Sequence, residues 1–247
     1  MKRILSFLAL TAMILSVSCK KNDDPKKPDD KKDEEKEYVA PITLDGDFSD
    51  WAKLDASKTA SCTLKAADTW AYPEIKSAKV YADELFVFVY MEFNTAVLSP
   101  ESGSHFALYI NGDGNTATGG YNGQWDQGET PCIDVLVMGT YFDPDAGGWI
   151  KDLDCEVYAW NGKPNTDGWS WGDVEVADFA QGKCTNKGME FALSRDLYPA
   201  GTFAEEFSIG FQLQTNGWDA TGALPNAEPS DDNPSGKAPL LTVKVNK

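Results

Sequence analysis

Short apolar or alternating runs recur along this chain, each closed by Gly, Pro, Asn or Asp, and no long stretch carries helical periodicity. Residues 75–82 and 85–93 flank Asp83-Glu84 and predict a hairpin. The second arm is nearly continuous apolar from 85 to 91, so it should lie inside a sheet with both faces covered. Further strands are predicted at 105–110, 132–139, 155–160, 174–179, 189–194, 207–214 and 240–245. Near the start, Ile42 and Leu44 alternate as the first strand of a sheet and run into Asp45-Gly46, a turn, followed by Phe48 and Trp51 at one-turn spacing with Ser49 as the N-cap candidate. Many short strands with regular turn signals predict an all-β fold, an antiparallel β-sandwich of jelly-roll-like kind forming a single domain.

The first residues read differently. Lys2 and Arg3 precede an apolar run, Ile4 to Leu15, too short to span a bilayer and flanked as a secretory signal is. Residues 1–18 are therefore expected to be a signal peptide. Residues 20–37 hold seven Lys and eight Asp or Glu with almost no apolar side chain. Such a segment buries too little surface to offset its ordering entropy, so 19–37 is expected to be a disordered tether and 38–247 the folded domain.

Removing the −1 of the tether and the +2 of the leader from the formal −17 leaves about −18 for the domain. That balance argues against nucleic acid and anionic lipid headgroups as partners. Cys62, Cys132, Cys155 and Cys184 could form two disulfides in an exported protein, with three possible pairings. None has C-x-x-C spacing, and free or partly paired structural thiols are expected.

Catalytic equipment is sparse. His105 is the single histidine, and a polar residue at a strand edge is its expected role. No nucleophile elbow, P-loop or H-E-x-x-H occurs, and no carboxylate pair is singled out, so no enzyme is expected. Aromatic platforms are plentiful. A pyranose ring offers a C–H face to an indole, and neighbouring amides or carboxylates pair with its hydroxyls. Trp125, Trp169, Trp171 and Trp218 all lie in polar, Gly-rich loops, Trp218 beside Asn216. Asn111, Asp113 and Asn115 alternate in a Gly-rich turn, which suits either a structural calcium ion or an Asx turn closed by its own hydrogen bonds.

Several stretches resemble the family-nine-like carbohydrate-binding modules and related DOMON-type sandwiches. They are Ile42 to Trp51, the Asp83-to-Val89 arm, Leu108 to Asn115 with Thr118-Gly119, Met189 to Leu193, and Gly217-Trp218 with Gly222 to Pro225. Asn111 and Ser194 depart from that pattern, standing where the family has Asp and Pro. The resemblance implies a sugar clamp of two facing indoles, the late one at Trp218 and the early one at Trp70, with Trp51 in the core. The small residues before Cys19 resemble a lipoprotein cleavage site, and the acidic stretch after it resembles surface-export signals of the Bacteroidetes type. These resemblances imply a monomeric outer-membrane, cell-surface lipoprotein acylated at Cys19 that binds a polysaccharide or oligosaccharide and works beside an uptake system. The competing readings are a protein-binding adhesion module, a haem-carrying DOMON-type domain and a glycoside hydrolase.

Overall fold

Alternation of buried and exposed positions is what builds this domain. The computed structural model describes residues 38–120, 123–125, 132–164, 170–173, 180–196 and 202–247. The expected signal peptide and tether, the 174–179 strand and Trp169 lie outside the described residues. Pro41–Lys247 forms one compact unit.

The strands in chain order are β1 (Ala60–Thr63), β2 (Ile75–Ala82), β3 (Phe86–Phe93), β4 (Ser104–Asn111), β5 (Val135–Asp143), β6 (Gly148–Trp149), β7 (Asp152–Asp154), β8 (Glu156–Trp160), β9 (Trp171–Asp173), β10 (Ala180–Thr185), β11 (Gly188–Ser194), β12 (Glu206–Gln214), β13 (Ala220–Leu224) and β14 (Leu241–Lys244). Among the described residues they form two antiparallel sheets. One runs β1-β2-β3-β11-β10-β7; the other runs β13-β12-β4-β5-β8-β9, with β14 on β12 and β6 on β5. The fold is a β-sandwich.

The core lies between the sheets. Val87, Val89, Met91 and Phe93 from β3 meet Phe106, Leu108 and Ile110 from β4 there, with Phe191, Ile209 and Phe211. The expected hairpin is present as β2 and β3, and β3 sits between β2 and β11. Its other side is covered too, because Phe88 packs with Ile42 and Trp51, and Phe86 and Tyr90 rest against the same cluster.

That cover is residues 42–54, a clasp across the outside of the first sheet; Ile42 to Leu44, expected as the first strand, joins no sheet and packs its apolar side chains onto Phe88 instead. Gly46 turns it at φ 81°, a left-handed conformation that glycine takes without steric cost. Phe48 also has positive φ and leads into a 3-10 turn, Ser49–Ala52, with no side-chain cap. Ser49 is thus no N-cap; its hydroxyl donates to Asp47 at 2.8 Å. Trp51 is buried, as expected for a core residue. None of the four domain cysteines is in a disulfide. Burial pushes Cys62, Cys155 and Cys184 up to about 12.

Candidate functional site: the outer face of the second sheet

Because Phe106, Leu108 and Ile110 fill the inter-sheet core, their alternates His105, Ala107, Tyr109 and Asn111 face outward from β4. Cross-strand pairing sets their neighbours in rows. His105 lies between Gln214 and Thr140, and Ala107 lies between Gln212 and Met138, with Glu156 beyond. Tyr109 pairs with Leu136, and Leu136 with Tyr158. This outer face has its own apolar floor of Ala107, Leu136 and Met138, packed by Tyr109, Tyr158 and Trp171.

The polar groups over that floor are held in place. Gln214 Nε2 donates to Gln212 Oε1 at 2.6 Å, and both residues are buried. Gln214 Oε1 has no partner. Tyr158 donates its hydroxyl to Glu156 at 2.6 Å.

At the His105 end of the face stands Trp218. Its indole stacks on the His105 imidazole with centroids 4.3 Å apart and planes 5° from parallel. The imidazole covers one side of the indole, yet 55% of the residue is exposed, so the other side meets solvent. The β12–β13 turn fixes this pose. Trp218 N donates to Thr215 O, while the Thr215 hydroxyl accepts from Gly217 and Asp219. Trp218 itself sits at φ 68°. A bulky side chain is costly there, and such strain is concentrated at binding sites.

His105 is anchored beneath it, within 3.2 Å of the Thr140 hydroxyl through Nδ1. Burial holds the His105 pKa below its usual value, against a hydrogen bond that the ring donates to Asn216 and the Glu156 charge, which raise it. Burial thus favours the neutral form of the ring. His105 is the second residue of β4, near the strand's start as expected from sequence, and β4 lies between β12 and β5.

The other expected platforms are placed differently. Trp70 is 6% exposed and donates Nε1 to Ala223 O at 3.1 Å, with Tyr72 edge-on at 5.4 Å. An indole so enclosed offers no face to a sugar, so the expected clamp of Trp70 opposite Trp218 is corrected: Trp70 is a plug. Trp125 is 3% exposed and lies over Gly210, where a Cβ would come within 2.6 Å of its ring. It too is a cover for the sheet and not a platform. Trp171 is half-buried and meets Trp160 edge-on at 5.0 Å. The face brings together Trp218, Asn216 and His105, with Gln212, Gln214, Thr140 and Glu156. Sequence reading missed the last four, although glutamines two apart in an apolar strand are a readable sign of a polar outer face.

The Asn111 turn lies at the far end of β4. Asn115 Oδ1 accepts from Ala117 N at 2.9 Å, and Asp113 accepts from Asn115 N and the Thr118 hydroxyl. The Asx-turn reading therefore holds for Asn115. Asp134, absent from the expected set, accepts from Gly112 N at 3.0 Å. Burial, and then the neighbouring Asp113 charge, push the Asp134 carboxyl up to about 7.

No family model matches the chain, and no curated protein matches it in sequence. A solved structure aligns with it: a carbohydrate binding module family 9 from Caldicellulosiruptor kristjanssonii in complex with cellotriose, at TM-score 0.39 and 11% identity, over 85% of this chain and 91% of that one. A likeness at that level says nothing about the ligand of this chain.

Proposed function

We propose that this protein binds a polysaccharide or oligosaccharide without transforming it, with Trp218 as the stacking platform. The observation that carries the reading is the exposed indole held flat on the His105 imidazole by a strained turn. An indole already fixed in its bound pose loses little freedom when a ligand arrives. A pyranose would lay its C–H face on the open side of Trp218. Asn216 sits in the same turn, and Gln214, Gln212 and Glu156 line the adjoining rows to meet hydroxyl groups.

In this reading residues 1–18 are removed, Cys19 is acylated, and the charged segment 20–37 tethers the domain at the outer surface of an outer membrane, where it delivers glycan to an uptake system. The support for that part is the leader pattern and the composition of the segment alone. Retention on polysaccharide affinity gels tests the binding. Wild-type protein should be retarded by at least one polysaccharide and the Trp218→Ala variant by none; a wild-type protein retarded by no polysaccharide removes the proposal.

A further inference from the structure

The platform indole rests on the only histidine in the sequence. With centroids 4.3 Å apart and planes 5° from parallel, a change of charge in the imidazole is felt directly by the ring above it. His105 is half-buried, and its immediate partners are uncharged. Gln214 of β12 and Thr140 of β5 are its cross-strand neighbours, and Nδ1 lies 3.2 Å from the Thr140 hydroxyl. Asn216 of the β12–β13 turn accepts from the ring. It also packs on Gly103, where a Cβ would come within 2.9 Å of its Oδ1. The charged side chains on the elements around His105 are carboxylates: Glu101 ahead of β4, Asp143 at the end of β5, Glu156 on β8, Glu206 at the start of β12 and Asp219 in the turn.

Two consequences of a proton on His105 run the same way. A glycan lying on Trp218 closes off water from a ring that is already half-buried, and an imidazolium loses more by that than a neutral imidazole. The C–H face of a sugar is drawn to the negative π face of the indole. A cation stacked on the opposite face pulls that electron density toward itself and leaves the open face less attractive. The Glu156 charge acts the other way, favouring the imidazolium. It is exposed to solvent, which screens it, and its carboxylate already accepts from Tyr158.

We propose that His105 is the positioning residue of the Trp218 platform and that protons and glycan compete through it, so that the protein holds its glycan near neutral pH and releases it as the imidazole is protonated. The inference rests on the glycan-binding reading above. The competition is reciprocal: glycan must lower the proton affinity of His105 by the same factor by which the proton lowers glycan affinity. Release is then set by local acidity and needs no change in the sugar itself. Asp134, pushed up to about 7, also titrates in this range. It lies six residues along β5 from Thr140, about 20 Å at strand rise, and stays in place when His105 is replaced.

Calorimetric titration of the full-length protein with the soluble polysaccharide that retards it most on affinity gels tests this, repeated in steps from pH 7.5 to pH 5. The wild-type dissociation constant should rise about threefold or more over that range, part of the tenfold that a one-unit difference in pKa between free and bound protein represents. His105→Phe should show an affinity that stays level across the same range; if that variant does not fold, His105→Gln takes its place with the same expectation. Asp219→Asn should keep the wild-type pH dependence. The proton signal of the single histidine, followed by NMR, should titrate at lower pH with the polysaccharide present than without it. A wild-type affinity unchanged from pH 7.5 to pH 5, or an equal pH dependence in the His105 variants, would overturn the inference and leave glycan binding standing. Loss of the pH dependence in Asp219→Asn would do the same. A wild-type protein that no polysaccharide retards removes both.

Discussion

Trp51 Nε1 donates to Glu190 Oε2 at 3.0 Å, across 139 residues of sequence. The other carboxylate oxygen of Glu190 accepts from Asp45 N at 3.0 Å and Gly46 N at 2.8 Å. One side chain of β11 thus fastens both the turn and the aromatic plug of the clasp. Burial pushes the Glu190 pKa up, and the Gly46, Trp51 and Asp45 hydrogen bonds oppose that. Replacing Glu190 by Ala strands three donors. The expected loss is about 3 kcal/mol or more in urea unfolding, since hydrogen bonds to a charged group are worth roughly 1.5–3 kcal/mol each. Glu190→Gln keeps one oxygen acceptor and should lose less. Equal stability of wild type and Glu190→Ala would contradict the clasp.

Trp218 and Trp70 should separate binding from stability. Trp218→Ala should leave the unfolding midpoint nearly unchanged and weaken glycan binding by a few kcal/mol, as truncation of a buried aromatic anchor does at interfaces. Trp70→Ala should destabilise the fold by about 3–5 kcal/mol. In quenching experiments iodide should reach Trp218 but neither Trp70 nor Trp125.

His105 predicts a pH dependence of determinable sign. Its folded pKa lies below the 6.5 of the free side chain because burial disfavours the imidazolium. Between those two values the unfolded chain binds more protons, so stability rises with pH there and is lost as pH falls from 6.5 through the folded value. His105→Phe keeps a flat ring under Trp218 without a titrating group. The difference in midpoint between wild type and His105→Phe should therefore change across that window and stay level above it. A His105 proton titration followed by NMR should have its midpoint below 6.5.

The thiols should be inert. The thiolate is the reactive form, and burial keeps Cys62, Cys155 and Cys184 protonated with values of about 12. Thiol reagents should label the native domain slowly and all four of its cysteines after denaturation. Reducing agents should leave the midpoint unmoved.

Strand alternation was legible where apolar side chains are large. The β2–β3 hairpin, β4, β8, β11, β12 and β14 fall where the pattern predicts them. β10 escaped because Ala180–Thr185 reads AQGKCT, and its pairing with β11 and β7 comes from tertiary contact rather than propensity. The site divides along the same line. Trp218 and Asn216 share one turn and could be named from sequence. Local sequence cannot tell a buried indole from an exposed one: Trp70 and Trp125 also lie among polar residues, and their burial depends on Ala223 and Gly210, far along the chain. The His105–Trp218 stack was equally hidden, because it needs β4 and the β12–β13 turn brought together.

The clasp also decides where this domain can begin. Phe86, Phe88 and Tyr90 are three aromatic side chains on the outer side of a central strand, shielded by residues 42–54. A shortened chain starting at the first strand, Ala60, would keep both sheets and uncover that stripe, together with a buried Glu190 stripped of three donors. Exposed aromatic surface of this kind promotes self-association. The shortest soluble version of the molecule is therefore one that keeps Ile42, well ahead of the sandwich's first strand.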